Sequence, residues 1–340
     1  MTKKLSDNRI YWLDYAKVIG VFLMIYGHGG LCGDLRNYIF SFHMPMFFFI
    51  SGMFYKPLSL KNTIRKNWMG LLVPYLLLNL LCYIPQLLSL LWHGALTIDK
   101  VCYSWGAVLL GLGYNINGFV PISTPCWFIY VLFIAKVLMA MVIQKGRLGV
   151  VLLIGISLFA TVVLQYMGID LLIPLDSVFL AIPFICIGYL CKEKIIHYVQ
   201  KDNLLTDFIT LLFLLLWFVL VPFNGTIDMN TCKVGISMTS FYITATIATF
   251  VFFRISHRLY GLSRNIKMGG VILVSKSTLL YVAFNLSAIC YTKSIIAHVS
   301  HLPTEGGLMG FIIAIVVFFE HVPICMFVIK NCPVLIGKRK

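Results

Sequence analysis

The segment YWLDYAKVIGVFLMIYGHGG, residues 11–30, holds the densest set of groups able to do chemistry. Asp14 and Lys17 are three residues apart, so on a helix they share a face and can pair. Lys17 and His28 are eleven apart, close to three full turns, which keeps them on that face about 16 Å apart along the axis. The face offers a cation at one end and a titratable base at the other. An anchoring Asp–Lys pair and a helix-end histidine capped by Gly29 and Gly30 are the plainer readings. The next segment, RNYIFSFHMPMFFFISGMFYK, places His43 two residues before Pro45. Pro45 removes a backbone donor and frees the Ser41 carbonyl, and such a break beside an ionisable group reads as a cavity wall. About five residues separate the two segments, so their helices are antiparallel neighbours. His28 and His43 then share one half of the bundle, with His43 the deeper. Ser51-Gly52 is a small-residue step that permits close helix approach.

Other polar residues inside apolar runs are fewer. Glu320 and His321 interrupt the last run near its middle, where a carboxylate is a functional candidate or a structural partner for Lys136 or a histidine. Trp127 and Tyr130 open another run, where an interfacial aromatic belt is the ordinary reading. Asn285 and Ser287 suit interhelical hydrogen bonds. The sequon at Asn224 (NGT) is an acceptor site only in a source that glycosylates such loops.

These residues are embedded in a chain of 340 residues that is 60% hydrophobic and 11% charged, with a mean hydropathy of +0.93. Soluble domains run at about 45–50% apolar and about 25% charged. The apolar excess continues from end to end, which excludes a soluble two-domain protein. A spanning helix needs about 20 mostly apolar residues. That criterion predicts an all-α, single-domain bundle over 1–340 with ten spans, at approximately 10–30, 36–55, 69–92, 126–144, 148–166, 171–190, 204–223, 234–253, 271–291 and 308–329. The stretch 101–113 is too short to span and reads as re-entrant or interfacial. No internal repeat is apparent.

The net charge of +15 follows the loops. Of 27 Lys and Arg, 21 fall on the side of the termini, four (Arg36, Lys100, Lys233, Lys293) on the other, and Lys17 and Lys136 within spans. The asymmetry places both termini in the cytoplasm and accounts for the basicity without nucleic acid. Ten cysteines form no CxxC pair and no zinc spacing, so no metal is expected; Cys102 and Cys126 share a loop and pair only in an oxidising compartment. No cleavable signal peptide is expected, because the first apolar run carries Asp14 and Lys17. GxxxxGK(S/T), HExxH and GxSxG are absent. Basic residues on the terminal side (Lys56, Lys61, Arg65, Lys66, then Arg254, Arg258, Arg264, Lys267) could hold a phosphorylated metabolite, although the charge bias alone puts them there.

WLDYAKVIGVFLMIYGH followed by FHMPMFFFISGMFYK resembles the membrane-bound acyltransferase-3 family, which includes O-antigen and fucose O-acetylases and poly-N-acetylglucosamine modification proteins. The strong motifs cover about the first 60 residues, and PCWFIYVLF at 125–133 looks like the family's later Trp-Phe element. The resemblance implies ten spans with cytoplasmic termini, in a bacterial cytoplasmic (inner) membrane. It also implies a basic residue and an essential histidine with ten residues between them, which Lys17 and His28 match. Relatives often carry a Tyr and then a His in the ninth span; here Tyr281 is present, but Phe284 and Asn285 stand where the histidine would be. No SGNH-type domain follows, so the bundle is expected to complete the transfer itself or hand the acyl group to another protein.

The implied activity moves an acyl group, usually acetyl from acetyl-CoA, to a hydroxyl of an extracytoplasmic or lipid-linked carbohydrate. CoA phosphates are then expected at Lys17, Lys56 and Arg65. His28 is expected as general base or transient acyl carrier, Asp14 as the group orienting Lys17, and His43 as acceptor-positioning or proton-relaying residue. Trp127, Tyr281 and Glu320 are the expected acceptor contacts. The expected partners are the bilayer, acyl-CoA and the glycan. The rival reading is an exporter or flippase of the same glycan, which cavity-lining His and Glu suit equally; labelled acyl groups on the glycan separate the two.

Overall fold

The computed structural model describes residues 9–31, 34–169, 171, 173–263, 268–300 and 303–338. Helix α1 (Tyr11–His28) lies inside the bundle, with Trp12, Leu13, Ala16, Val21, Met24 and Ile25 buried. Around it stand α3 (His43–Met53), α11 (Met238–Leu262), α12 (Gly269–Lys276), α13 (Thr278–Ser300) and α14 (Gly307–Asn331). Among the described residues, six helices are long and apolar enough to cross a membrane: Leu60–Trp92, Thr124–Met167, Leu204–Asn224, Met238–Leu262, Thr278–Val299 and Gly307–Asn331. A seventh is made if Leu175–Leu190 and Lys192–Gln200, bent by 70° at Cys191, count as one span. The chain is thus an all-α polytopic membrane protein. α1 falls outside this set because Asp14, Lys17 and His28 dilute its hydropathy.

One expected span is divided, and the two spans expected at 126–144 and 148–166 are found as one apolar run with a break between them. The run Thr124–Met167 breaks at Gly146, whose φ of +70° and ψ of −157° leave the helical region, giving α7 (Trp127–Val142) and α8 (Gly146–Met167). Glycine tolerates that conformation because it has no Cβ. The expected continuous span 36–55 is instead α2 (Asp34–Phe40), a turn at Ser41-Phe42, and α3. Pro45 is the third residue of α3, where a helix has no partner for a backbone N–H anyway. The proline therefore opens a helix rather than kinking one, and His43 becomes the first residue of α3.

The remaining long helices are α4 (Leu60–Asn67), joined by a π-turn at Trp68–Leu72 to α5 (Val73–Trp92), then α9 (Leu175–Gln200) and α10 (Leu204–Asn224). The stretch expected to be too short to span forms α6 (Ile98–Leu110), held by Tyr75 donating to the Val108 carbonyl at 2.7 Å. Among the described residues the helices are joined by an isolated bridge between Ile116 and Phe119 and by a two-stranded antiparallel hairpin between α10 and α11. It pairs β1 (Ile227–Asp228) with β2 (Lys233–Val234). Asn224 anchors this hairpin: its Nδ2 donates to the Val234 carbonyl at 2.7 Å and its Oδ1 accepts from Ser237 N at 3.0 Å. With the side chain buried and fully engaged, the sequon is no glycosylation acceptor in the folded protein.

α3 lies directly on α9, and two glycines make that possible. A Cβ at Gly52 would overlap the Ile185 carbonyl, and one at Gly188 the Phe49 carbonyl. Backbone cannot yield as a flexible side chain does, so Gly52→Val is expected to destabilise by about 1–3 kcal/mol or more. A fall in melting temperature and in the yield of monodisperse protein after detergent extraction checks this, and an unchanged profile refutes the packing.

The bundle has two chemically different ends. At one end Arg254 is buried and bound by Asp202 at 3.1 Å, Asp207 at 2.9 Å and the Val199 carbonyl at 2.6 Å, and Arg258 joins the same two carboxylates. Tyr15 and Ser263 hydroxyls meet there too, and Lys338 lies near Lys276 and Arg9. We call this the basic end. His28, the hairpin and the start of α7 occupy the far end.

Candidate functional site

At the far end, α1, α2, α3, α7, α13 and the hairpin enclose a cavity of about 200 Å³. His28, His43, Arg36, Trp127, Asp228 and Asn230 are its chemically significant walls. The proximity of the two histidines expected from the short connection is realised through Phe40. The His28 ring stands edge-on to Phe40 at 5.4 Å, and Phe40 meets His43 at 5.0 Å. His43 is buried, and its Nδ1 lies 2.9 Å from the Ile39 carbonyl. A carbonyl only accepts, so Nδ1 carries the proton and Nε2 keeps a lone pair. Among the described residues, no hydrogen bond engages either ring nitrogen of His28. Arg36 lies over the Phe40 ring at 3.9 Å and donates to Asp228 Oδ2 at 3.2 Å. The cavity thus combines two imidazoles, a fixed guanidinium and carboxylate, and apolar surface from Met24, Met44 and Val282.

At the basic end a second cavity, of about 450 Å³, is lined by Arg9, Asp14, Lys17, Phe54, Ser275 and Lys276 among others. The expected pairing of Asp14 with Lys17 is a matter of charge at a distance, because the hydrogen bonds of Asp14 go elsewhere. Asp14 is gripped by Arg9 at 2.7 and 2.9 Å and accepts from the Ser275 hydroxyl. That bidentate geometry outcompetes a lysine three residues on. The Asp14 carboxylate in turn holds the Arg9 guanidinium above its ordinary pKa range. Asp14 is also about 21 Å from His28 along α1, too far to act on the histidine directly. Lys17 is left without an ion pair among the described residues, its Nζ 5.7 Å from the Phe54 ring centre. Burial and the nearby cations Lys276 and Arg9 pull the Lys338 ammonium below its ordinary pKa.

The other expected residues scatter. Lys56 is exposed in the loop before α4, and Arg65 lines a separate groove with Lys66 and Gly337. Arg254 and Arg258 are consumed by their carboxylates, and Arg264 and Lys267 lie outside the described residues. Trp127 is on the His28 cavity wall. Tyr281 is not: it is buried between α13 and α14, its hydroxyl donating to the Phe318 carbonyl at 3.1 Å and its ring stacked 4.7 Å from His321. Glu320 is on the exposed side of α14, with Thr292 at 3.4 Å, so it is a partner neither of Lys136 nor of the cavity. The charged groups acting on Lys136 are instead Lys66 and Lys17. Cys102 and Cys126 are unpaired.

Arg36, Asp228 and Asn230 are the cavity residues that sequence reading passed over. The available signal was that Arg36 is one of only four basic residues on its side of the chain.

A family model described as an acyltransferase domain matches residues 10–326, a stretch that contains α1 through most of α14, every wall of the His28 cavity and every wall of the basic-end cavity but Arg9. No curated protein and no solved structure matches the chain. The match runs through nearly the whole bundle rather than through its first two segments alone, and the chain belongs to membrane acyltransferase family 3.

Proposed function

We propose that this membrane acyltransferase takes an acyl group, acetyl in the first instance, from acyl-CoA at the basic end and places it on a carbohydrate hydroxyl in the His28 cavity. In this reading ten spans cross a bacterial inner membrane, with α1, the α2–α3 pair, α7, α8 and α9 each counted, and both termini are cytoplasmic. One observation carries the reading: α1 presents to one cavity Lys17, which makes no ion pair among the described residues, and to another His28, whose ring makes no hydrogen bond among them, about 16 Å apart on one helix. A phosphate-bearing donor fits the first, and its flexible arm can run along the bundle toward the second.

His28 takes the proton of the acceptor hydroxyl as its oxygen attacks the thioester carbonyl. The C–S bond then breaks, and the proton goes to the departing thiolate. His43, with its proton fixed on Nδ1, can accept a second hydroxyl of the acceptor. The test is transfer of labelled acetyl from acetyl-CoA to extracted glycan in membranes with and without the protein. Label confined to the membranes that hold it supports the reading, and glycan translocation without label supports export instead. Lys17→Ala is expected to raise the KM for acetyl-CoA about tenfold with a smaller change in kcat, and Lys17→Arg to restore it. An unchanged KM removes Lys17 from the donor site.

A further inference from the structure

The hairpin between α10 and α11 forms one wall of the His28 cavity, and its contacts make it a fixed wall. Ser177 Oγ donates to the Met229 carbonyl at 2.9 Å, and Asn230 Nδ2 to the Gly113 carbonyl at 2.8 Å. Asn230 N donates to Asp228 Oδ1 at 3.0 Å, while Asp228 Oδ2 faces Arg36. Each carboxylate oxygen still has a lone pair for a further donor, and the guanidinium has unused N–H groups. Among the described residues the cavity wall therefore carries one cation and one anion, mutually compensated, beside two imidazoles. A site for an anionic ligand has an unpaired cation, as the basic end does in Lys17. The volume of about 200 Å³ is the space of about seven waters at about 30 Å³ each, which suits one sugar ring and not a chain of them. Met24, Met44 and Val282 add apolar surface to the same cavity, and a pyranose, with C–H faces and hydroxyl edges, matches that mixture.

We infer that Asp228, Asn230 and Arg36 select the acceptor by binding the hydroxyls of a single uncharged glycosyl residue, presented to His28 by the hairpin. The inference rests on the acyl-transfer reading for the purpose of the site, but its test reads binding alone. Saturation-transfer NMR on the detergent-solubilised full chain would use methyl glycosides of a hexose, a 6-deoxyhexose, an N-acetylhexosamine and a hexuronic acid. At least one neutral glycoside is expected to bind, and the uronide to bind at least tenfold more weakly than the best of them. Asp228→Asn keeps the shape and removes the charge, and Asn230→Ala removes an anchor; each is expected to weaken binding at least tenfold while the melting temperature falls by only a few degrees and the protein stays folded and monodisperse. Lys233→Ala, on the hairpin but lining a different cavity, is expected to change nothing. Absence of binding by every glycoside, preference for the uronide, or unaltered affinity in both folded variants overturns the inference. Binding with the expected selectivity by a wild-type protein that transfers no acetyl upholds it and removes the acyl-transfer reading instead.

Discussion

Replacing His28 by alanine is expected to lower acyl transfer by about 10²–10⁴-fold while the protein still inserts and folds. That range is what a positioned general base contributes. The structure gives two reasons to expect the loss in kcat rather than in folding. His28 is the last residue of α1, so its removal leaves no gap inside a helix–helix seam. Its ring nitrogens make no hydrogen bond among the described residues, so no buried partner is orphaned. His28→Asn, which offers a hydrogen bond but no base, is expected to be as inactive as the alanine variant. His43→Ala is expected to fall less, because His43 is held by the Ile39 carbonyl and reaches the acceptor only through Nε2. Acetyl-transfer rates in membranes normalised to inserted protein check the order. Full activity in His28→Ala removes the mechanism, and label retained on the wild-type protein after a denaturing quench makes His28 an acyl carrier.

The largest stability effect is expected at the opposite end. Arg254→Ala removes a guanidinium that is 2% exposed and that ties α11 to the Val199 carbonyl and to Asp202 and Asp207. The carboxylates left behind are 58% and 42% exposed and keep Arg258, so the loss is that of the buried bond to the Val199 carbonyl and of the packed arginine stem, together about 3 kcal/mol. Arg258 shares the same carboxylates, with its side chain 46% exposed, and an exposed pair is worth about 0–1 kcal/mol. Arg258→Ala is therefore expected to shift the melting temperature by a small fraction of the Arg254→Ala shift. Equal shifts would mean that burial is not what gives Arg254 its role.

The contrast between these ends shows what a sequence carries and what it does not. Helical spacing alone puts Lys17 and His28 on one face, and a short connection alone brings His43 beside His28, because both are local constraints. The aromatic start of α7 also delivers Trp127 to the cavity. Asp228 and Asn230 reach the same cavity from almost 200 residues away, through a hairpin of two-residue strands that no periodicity announces. Glu320 misled for a related reason. Hydropathy averages around a helix, so a carboxylate in an apolar run looks buried whichever side it faces. Helical spacing points Asp14 to the lysine three residues on, but Arg9, five residues back and just before the helix begins, offers the better fork. The break at Ser41-Phe42 was misplaced because a proline can mark a kink or a helix start, and the residues around Pro45 do not say which.

The most direct measurement uses sealed inside-out vesicles. Labelled acetyl-CoA is supplied outside, the side on which the proposed topology puts the basic end, and the acceptor glycoside is enclosed in the lumen. Wild-type vesicles are expected to accumulate labelled ester in the lumen, and His28→Ala vesicles to stay at background. Ester formed equally in both, or glycoside crossing the membrane with no ester formed in either, would contradict transfer through the His28 cavity.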